Sequence, residues 1–457
     1  MDEVKIGPTR YHPFAPVFQN EGTNEGNVAI QSNYEEKQCG LDPSDIRWSY
    51  LLKPTFGDLK TVQRILSVQD MRRYTAETPY DKKNWMVAGL GLWHLRLNML
   101  KLIHKIHWGG SKPMDSSTLQ YAADAWDRSN VNTASDFTKL EELCIHSHHA
   151  RITGLLLYSS GRDFTRREEA EEWLRTCSRA RIVTLLDRIV ELVNPNGFND
   201  LKQTEPLNEV WYNHQCFIRH MNIYLLLCHA IKFADIGLLR QALREACVMF
   251  QAKEGQTTNY GPELLRLMHL YDSDASHPQL QRAMLVNSLV NLRGVYGKTF
   301  EVDRLVEFLN AFVAIVRKDR ANSTKPMEEL LRQIVLISPY MLELKRRLES
   351  QFGRPRSGEH PIKNASEDIW TMALNLVQRD FRYMDKEVFS AYLATNLTAS
   401  GYDSLSDNVL RYNEKMASGV TMDDAIPTEE NHSSTNTNSQ SYESMDEVLE
   451  SFLGTTT

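Results

Sequence analysis

Positive charge is in short supply in this chain. Lys and Arg number 52 against 59 Asp and Glu, a formal net charge of −7. That balance excludes a generally basic nucleic-acid binder, although it leaves room for a local basic face. Long hydrophobic runs are missing too. No apolar stretch approaches the roughly 20 residues that span a bilayer. The nearest candidate, residues 223–231, is short and contains His229, so it reads as a buried helix and no membrane partner is expected. The six cysteines (Cys39, Cys144, Cys177, Cys216, Cys228, Cys247) are scattered without a CxxC pair. Neither a disulfide framework nor a zinc ribbon fits, and free, mostly buried thiols are expected. The N-terminal MDEVKIGPTRYHPF is acidic and polar and lacks the basic-then-apolar order of a signal peptide. The expected location is intracellular, cytoplasmic or nuclear, not secreted, and sequons such as Asn322-Ser323-Thr324 should go unused. GxxxxGK[ST], GxGxxG after a strand, HExxH and GxSxG are all absent, which argues against a P-loop ATPase, a Rossmann oxidoreductase, a zincin and an α/β-hydrolase.

What remains is helical patterning. The 457 residues are enough for a large core and two or three folding units. Val62, Ile65, Leu66 and Gln69 follow the i, i+3, i+4, i+7 spacing of one helix face. Leu95, Leu97, Leu100, Leu102, Ile103 and Ile106 occupy several faces, as in a helix buried all round. Similar spacing recurs over 164–193, 209–233, 236–251, 264–271, 280–292, 301–316, 326–336, 341–352 and 367–378, punctuated by Trp108-Gly109-Gly110 and Asn194-Pro195-Asn196-Gly197. The expected fold is mainly α, a multi-helix globular domain with at most a few short strands near residues 47–58 and 85–92. The organisation divides into an extended arm (1–46), a helical core (47–352), a linker with C-terminal helices (353–420) and a polar, acidic, disordered tail (421–457). The tail ends in MDEVLESFLG, where Met445, Val448, Leu449 and Phe452 regain helical spacing. Segment 445–453 is therefore the candidate site for a protein partner.

Histidines and carboxylates are the candidates for chemistry. Cys144, His146, His148 and His149 crowd into one helical turn and a half. A single helix points them in different directions, and no second ligand pair is evident, so they read as a polar segment with exposed histidines rather than a zinc site. His94, His104 and His107 lie on one apolar helix and read as hydrogen-bonded core or helix-end side chains. Asp58 follows Gly57 at a strand-to-helix turn, where an N-cap is the ordinary role. Glu263 opens a helix after Pro262, and Glu301, Asp303 and Glu307 decorate another helix start.

The segments GDLKTVQRI, GLWHLRLNMLKLIHKIHWG, NYGPELL and NLRGVYGKTFEVDRLVEFLNAF occur in an order that resembles a fungal family known as domain of unknown function 6589. Gly57, Asp58, Thr61 and Arg64 match its Gly-Asp stretch, and Trp85, His94 and Leu95 its tryptophan-to-histidine block. Asn259, Tyr260 and Glu263 match its Asn-Tyr-x-x-Glu helix start; Asn291, Gly294, Glu301 and Asp303 match its Asn-x-x-Gly segment with spaced acids. The resemblance covers roughly residues 15–350. Leu59-Lys60 stands where the family has Gln-Leu, Trp93 replaces Phe, and Gly261-Pro262 fills the Asn-Tyr motif.

The resemblance implies mobile-element ancestry but no established activity. It suggests first a non-enzymatic helical interaction or scaffold protein. The alternative is a degenerate RNase H-like, transposase-type nuclease acting on nucleic acid. On that reading Asp58 and Glu263 are catalytic and Asp58, Glu263 and His94 hold Mg or Mn; otherwise no cofactor is expected. No third carboxylate on a good strand precedes Asp58, and the low strand content leaves little room for a five-stranded core.

Overall fold

Helical spacing outnumbers strand alternation along the chain, and the architecture follows it. The computed structural model describes residues 3–4, 6–109, 115–128, 131, 137–194, 207–255, 259–272, 277–319, 327–352 and 365–418. The expected disordered tail and its 445–453 segment lie outside these residues. The order opens with α1 (Asn24–Ser32), β1 (Lys53–Gly57), α2 (Leu59–Arg72), α3 (Pro79–Lys82), β2 (Met86–Leu90) and α4 (Leu92–His107). It continues through α5 (Leu119–Ala125), α6 (Phe137–Ser159), α7 (Arg167–Thr176), α8 (Arg179–Val193), α9 (Glu209–Phe233), α10 (Ile236–Gln251), α11 (Tyr260–Asp272) and α12 (Pro278–Asn287). The last elements are β3 (Leu289–Val290), β4 (Phe300–Glu301), α13 (Val302–Asp319), α14 (Met327–Phe352), α15 (Ser366–Arg379) and α16 (Leu397–Ser418). No helix among the described residues is long and apolar enough to cross a membrane.

The two strand regions expected from sequence are present as β1 and β2. They pair in parallel, from Lys53 opposite Met86 to Gly57 opposite Leu90. A parallel pair needs a crossover, and α2 with α3 supplies it. Trp48, Val62, Ile65, Tyr80, Trp85 and Met86 fill the space between that crossover and the strands. A second, antiparallel pair joins β3 to β4, with Leu289 opposite Glu301 and Val290 opposite Phe300.

The main core surrounds α9, which buries Phe217, Met221, Tyr224 and Leu227 on successive turns, as the continuous apolar run anticipates. The α4 helix packs beside it through Leu95, Met99, Leu100 and Ile103. Two glycines mark the closest approaches. A Cβ at Gly154 of α6 would stand 2.8 Å from the Phe381 ring, and one at Gly401 of α16 would stand 1.9 Å from the carbonyl oxygen of Val248 in α10. Residues 365–418 are thus seated directly on the α6 and α10 backbones.

Several boundaries differ from the spacing argument. The 164–193 segment is two helices, because Ser178 caps a new one by accepting from the Arg181 N–H. The 326–336 and 341–352 segments are one helix that carries Pro339 within it. α16 falls within the 353–420 span expected to hold C-terminal helices, although spacing delimits only the one over 367–378. The histidine-rich turn of α6 is less exposed than a polar segment should be: His148 and Cys144 are buried and His146 is half-buried, and of the three histidines His149 alone is exposed.

Candidate functional site

The carboxyl ends of β1 and β2 are where the sequence-derived candidates gather. In open α/β arrangements that edge is the usual ligand crevice, because helix N-termini and loops converge there. Asp58 immediately follows β1. Its carboxylate accepts the Thr61 N–H at 2.7 Å and caps α2, the ordinary role expected for it.

β2 ends at Leu90, and Gly91 starts α4. Glycine has no side chain to cap a helix, and the first turn of α4 would leave its N–H groups without partners. Asp303 supplies the missing cap from the start of α13. Its two oxygens accept from Trp93 N at 3.2 Å and His94 N at 3.1 Å. The fit requires Gly91: a Cβ there would lie 2.3 Å from Asp303 Oδ2. Asp303 also binds the His94 ring, Nδ1 to Oδ2 at 3.0 Å. A carboxylate can only accept there, so the Nδ1 proton donates. Burial alone would push the His94 imidazole toward its neutral form. The bond to Asp303 and the negative charges of Asp303, Glu307 and Asp58 outweigh it, and the pKa is raised. Glu307, one turn along α13, is half-buried; burial and the neighbouring Asp303 and Asp58 raise its pKa, against the pull of His94. Tyr260, whose hydroxyl accepts from Asn98 Nδ2 at 2.9 Å, is pushed up by burial and then by Asp58, Asp303 and Glu263.

Glu263 is handled differently. It is 2% exposed and pairs in a forked bond with Arg266, at 2.9 and 2.7 Å. Arg266 in turn donates to the Ala88 carbonyl of β2 at 2.7 Å. The pair locks α11 to β2 and neutralises the Glu263 charge. Of the three sequence candidates, Asp58 and His94 are therefore tied electrostatically to Asp303 and Glu307, while Glu263 is engaged by its own arginine. Among the described residues, no group of three or more His, Cys, Asp or Glu side chains is arranged to hold a metal ion.

A second ionic cluster lies behind the first. Arg96, two residues beyond His94, donates to Glu301 at 2.5 Å and to Glu141. Tyr224 of α9 donates to the same Glu141. Glu301 is fully buried, and its desolvation is outweighed by Arg96 and Arg304, which lower its pKa. One guanidinium thus clamps α4, β4 and α6, with α9 joined through Tyr224.

Asp303 and Glu307 are the residues that spacing could not single out. As two acids at a helix start they look ordinary, and 209 residues separate Asp303 from the histidine it binds. The only available signal was the pairing of Glu301 and Asp303 with Asp58 and His94 in one family pattern.

No curated protein and no solved structure matches the chain. A family profile does, over residues 1–360, and it takes in Asp58, His94, Glu263, Glu301 and Asp303. By that match the chain belongs to the family of unknown function DUF6589.

Proposed function

We propose that this protein is a non-enzymatic helical interaction protein of mobile-element ancestry, in which the Asp58–His94–Asp303 edge is a structural joint. One observation carries this reading: Asp58, Asp303 and Glu263 are already committed to structural tasks. Asp58 caps α2, Asp303 caps α4 and holds His94, and Glu263 is forked onto Arg266. A two-metal nuclease instead needs carboxylates converging on ions about 3.5–4 Å apart.

A second reading has a specific observation behind it. Asp58, Asp303 and Glu307 all act on the single imidazole of His94, so the edge carries more negative than positive charge. An excess of that kind suits a divalent cation, with Asp303 beside Asp58 as the second carboxylate. In this reading the nuclease alternative keeps Asp58 and His94 and replaces Glu263 by Asp303.

Calorimetric titration of Mg²⁺ and Mn²⁺ into wild type, Asp58→Ala and Asp303→Asn separates the two. The joint reading expects the same negligible heat from all three. Saturable binding by wild type that both substitutions abolish would replace it with the metal-site reading.

A further inference from the structure

The segment carrying α15 and α16 lies beyond the matched family span, yet it is seated over buried polar groups. Asp380 Oδ2 meets His214 Nε2 at 3.0 Å, the Ala394 N–H donates to Asn213 Oδ1 at 2.8 Å, and the Leu397 N–H donates to His220 Nε2 at 3.1 Å. All three acceptors or partners sit on α9. His220 is then joined through Nδ1 to His107 Nε2 of α4 at 2.9 Å.

The directions of these bonds fix where the protons are. The Leu397 N–H can only donate, so His220 Nε2 is bare and its proton is on Nδ1. That proton points at His107 Nε2, which must also be bare. The His107 proton is therefore on Nδ1, a buried atom with no hydrogen-bond partner. Both rings are neutral and fully buried. One further proton has no place to go: on His220 Nε2 it confronts the Leu397 N–H, and on His107 Nε2 it confronts His220 Nδ1–H.

The charged surroundings do not help. Facing His107 and His220 are Arg151 from α6 and His214 and Arg219 from α9. The nearby carboxylates are taken: Asp380 by His214, and Asp115 by the Ser117 and Ser390 hydroxyls. Desolvation and this positive neighbourhood depress both imidazoles, His220 to about 3.

We infer that residues 366–418 form an acid-released strap, latched through Leu397 to the neutral His220–His107 pair and able to lift from α9 and α10 while the remaining core stays folded. The surface it uncovers is apolar, because Phe381, Leu376, Ala394 and Leu397 leave the α6–α9–α10 face together. This extends the interaction reading, although its test does not depend on it. The sign follows from linkage. The strap bonds only His220 Nε2, and its release frees that one nitrogen toward an ordinary imidazole pKa of about 6.5, so the docked strap is fully favoured above that pH. Docking weakens about tenfold per pH unit below it, one proton being taken up on release.

Hydrogen exchange of the full chain from pH 7.5 to 4.5, corrected for intrinsic rates, reads the strap directly. Amides of α15 and α16 should lose protection about tenfold per pH unit below about 6.5 while the centres of α4 and α9 stay protected. His220→Gln, whose amide oxygen still accepts from Leu397, should flatten that dependence. Gly401→Ala should open the strap at pH 7.5, because its Cβ meets the Val248 carbonyl. Loss of protection by strap and core together would overturn the inference, as would an unchanged pH dependence in His220→Gln. If His220→Gln does not fold, imidazole NMR of wild type decides. His220 should titrate in step with strap release, and its titration with the strap still protected refutes the latch.

Discussion

Replacing Arg96 by leucine is the sharpest test of how this core is held. The substitution keeps an apolar side chain of similar reach against the rings of Phe137 and Tyr224, over which the guanidinium now lies. It strands two carboxylates unequally. Glu141 is 20% exposed and can turn toward water, whereas Glu301 is 0% exposed and cannot. Removing one partner of a buried pair typically costs about 3–5 kcal/mol. A separate route to the magnitude agrees. Glu301 escapes its charge by binding a proton, and at pH 7 holding a proton on a carboxyl of ordinary pKa near 4.3 costs about 3.7 kcal/mol. Arg96→Leu should therefore lower the unfolding free energy by about 4 kcal/mol at pH 7.

The pH dependence is the diagnostic part. In wild type the Glu301 pKa is lowered by Arg96, so its stabilisation is present above the ordinary carboxyl pKa and fades as pH falls. In the variant the folded-state pKa is raised, so acid relieves the strain. Both effects shrink the difference, and by pH 5 the loss should be about 1 kcal/mol. Histidine protonation is common to both proteins and cancels. Urea unfolding followed by tryptophan fluorescence at the two pH values measures this, with Arg96→Leu/Glu301→Gln as the rescue. A loss below about 1 kcal/mol at pH 7, or one that does not change with pH, would refute the claim that Arg96 is the main partner of the buried Glu301 charge and that Arg304 does not replace it.

Other expectations are simpler. Asp58→Ala should cost about 1 kcal/mol in a urea melt and Asp58→Ser much less, because the measured effect is that of an N-cap; equal losses would remove the cap explanation. Asp303→Asn should lower the His94 imidazole titration, followed by NMR, from its raised value, since burial remains and only Glu307 and Asp58 are left to oppose it; an unmoved titration would show that Asp303 does not set it. Gly91→Ala should destabilise by about 2 kcal/mol by driving a methyl into Asp303 Oδ2, and a neutral result would place Asp303 further from α4. Ending the chain after Ser418 should leave the melting temperature nearly unchanged. Ending it at residue 360 should expose the α6 and α10 faces and lower the melting temperature by several degrees while the remaining core still melts cooperatively.

The sequence by itself determined the class and the local grammar. Apolar residues at helical spacing have to bury one face or all faces, so α2, α4 and α9 were legible from Val62, Ile65, Leu95, Leu100 and their repeats. Asp58 after Gly57 carried its own explanation, because a cap bonds three residues away within the same turn. Only the tertiary structure decided what long-range contacts decide. Gly91 leaves the first turn of α4 uncapped, and nothing local says that Asp303 fills the gap. Glu263 looked like a candidate ligand until Arg266 proved to hold it against Ala88. His107 reads as a hydrogen-bonded core or helix-end histidine, and nothing in the spacing draws attention to His214 or His220. Their protonation is set by partners on α6, α9 and the strap, and helical periodicity carries no information about which helix faces which. Spacing records the face a residue occupies; the charge it meets across that face depends on chain segments a hundred or more residues away.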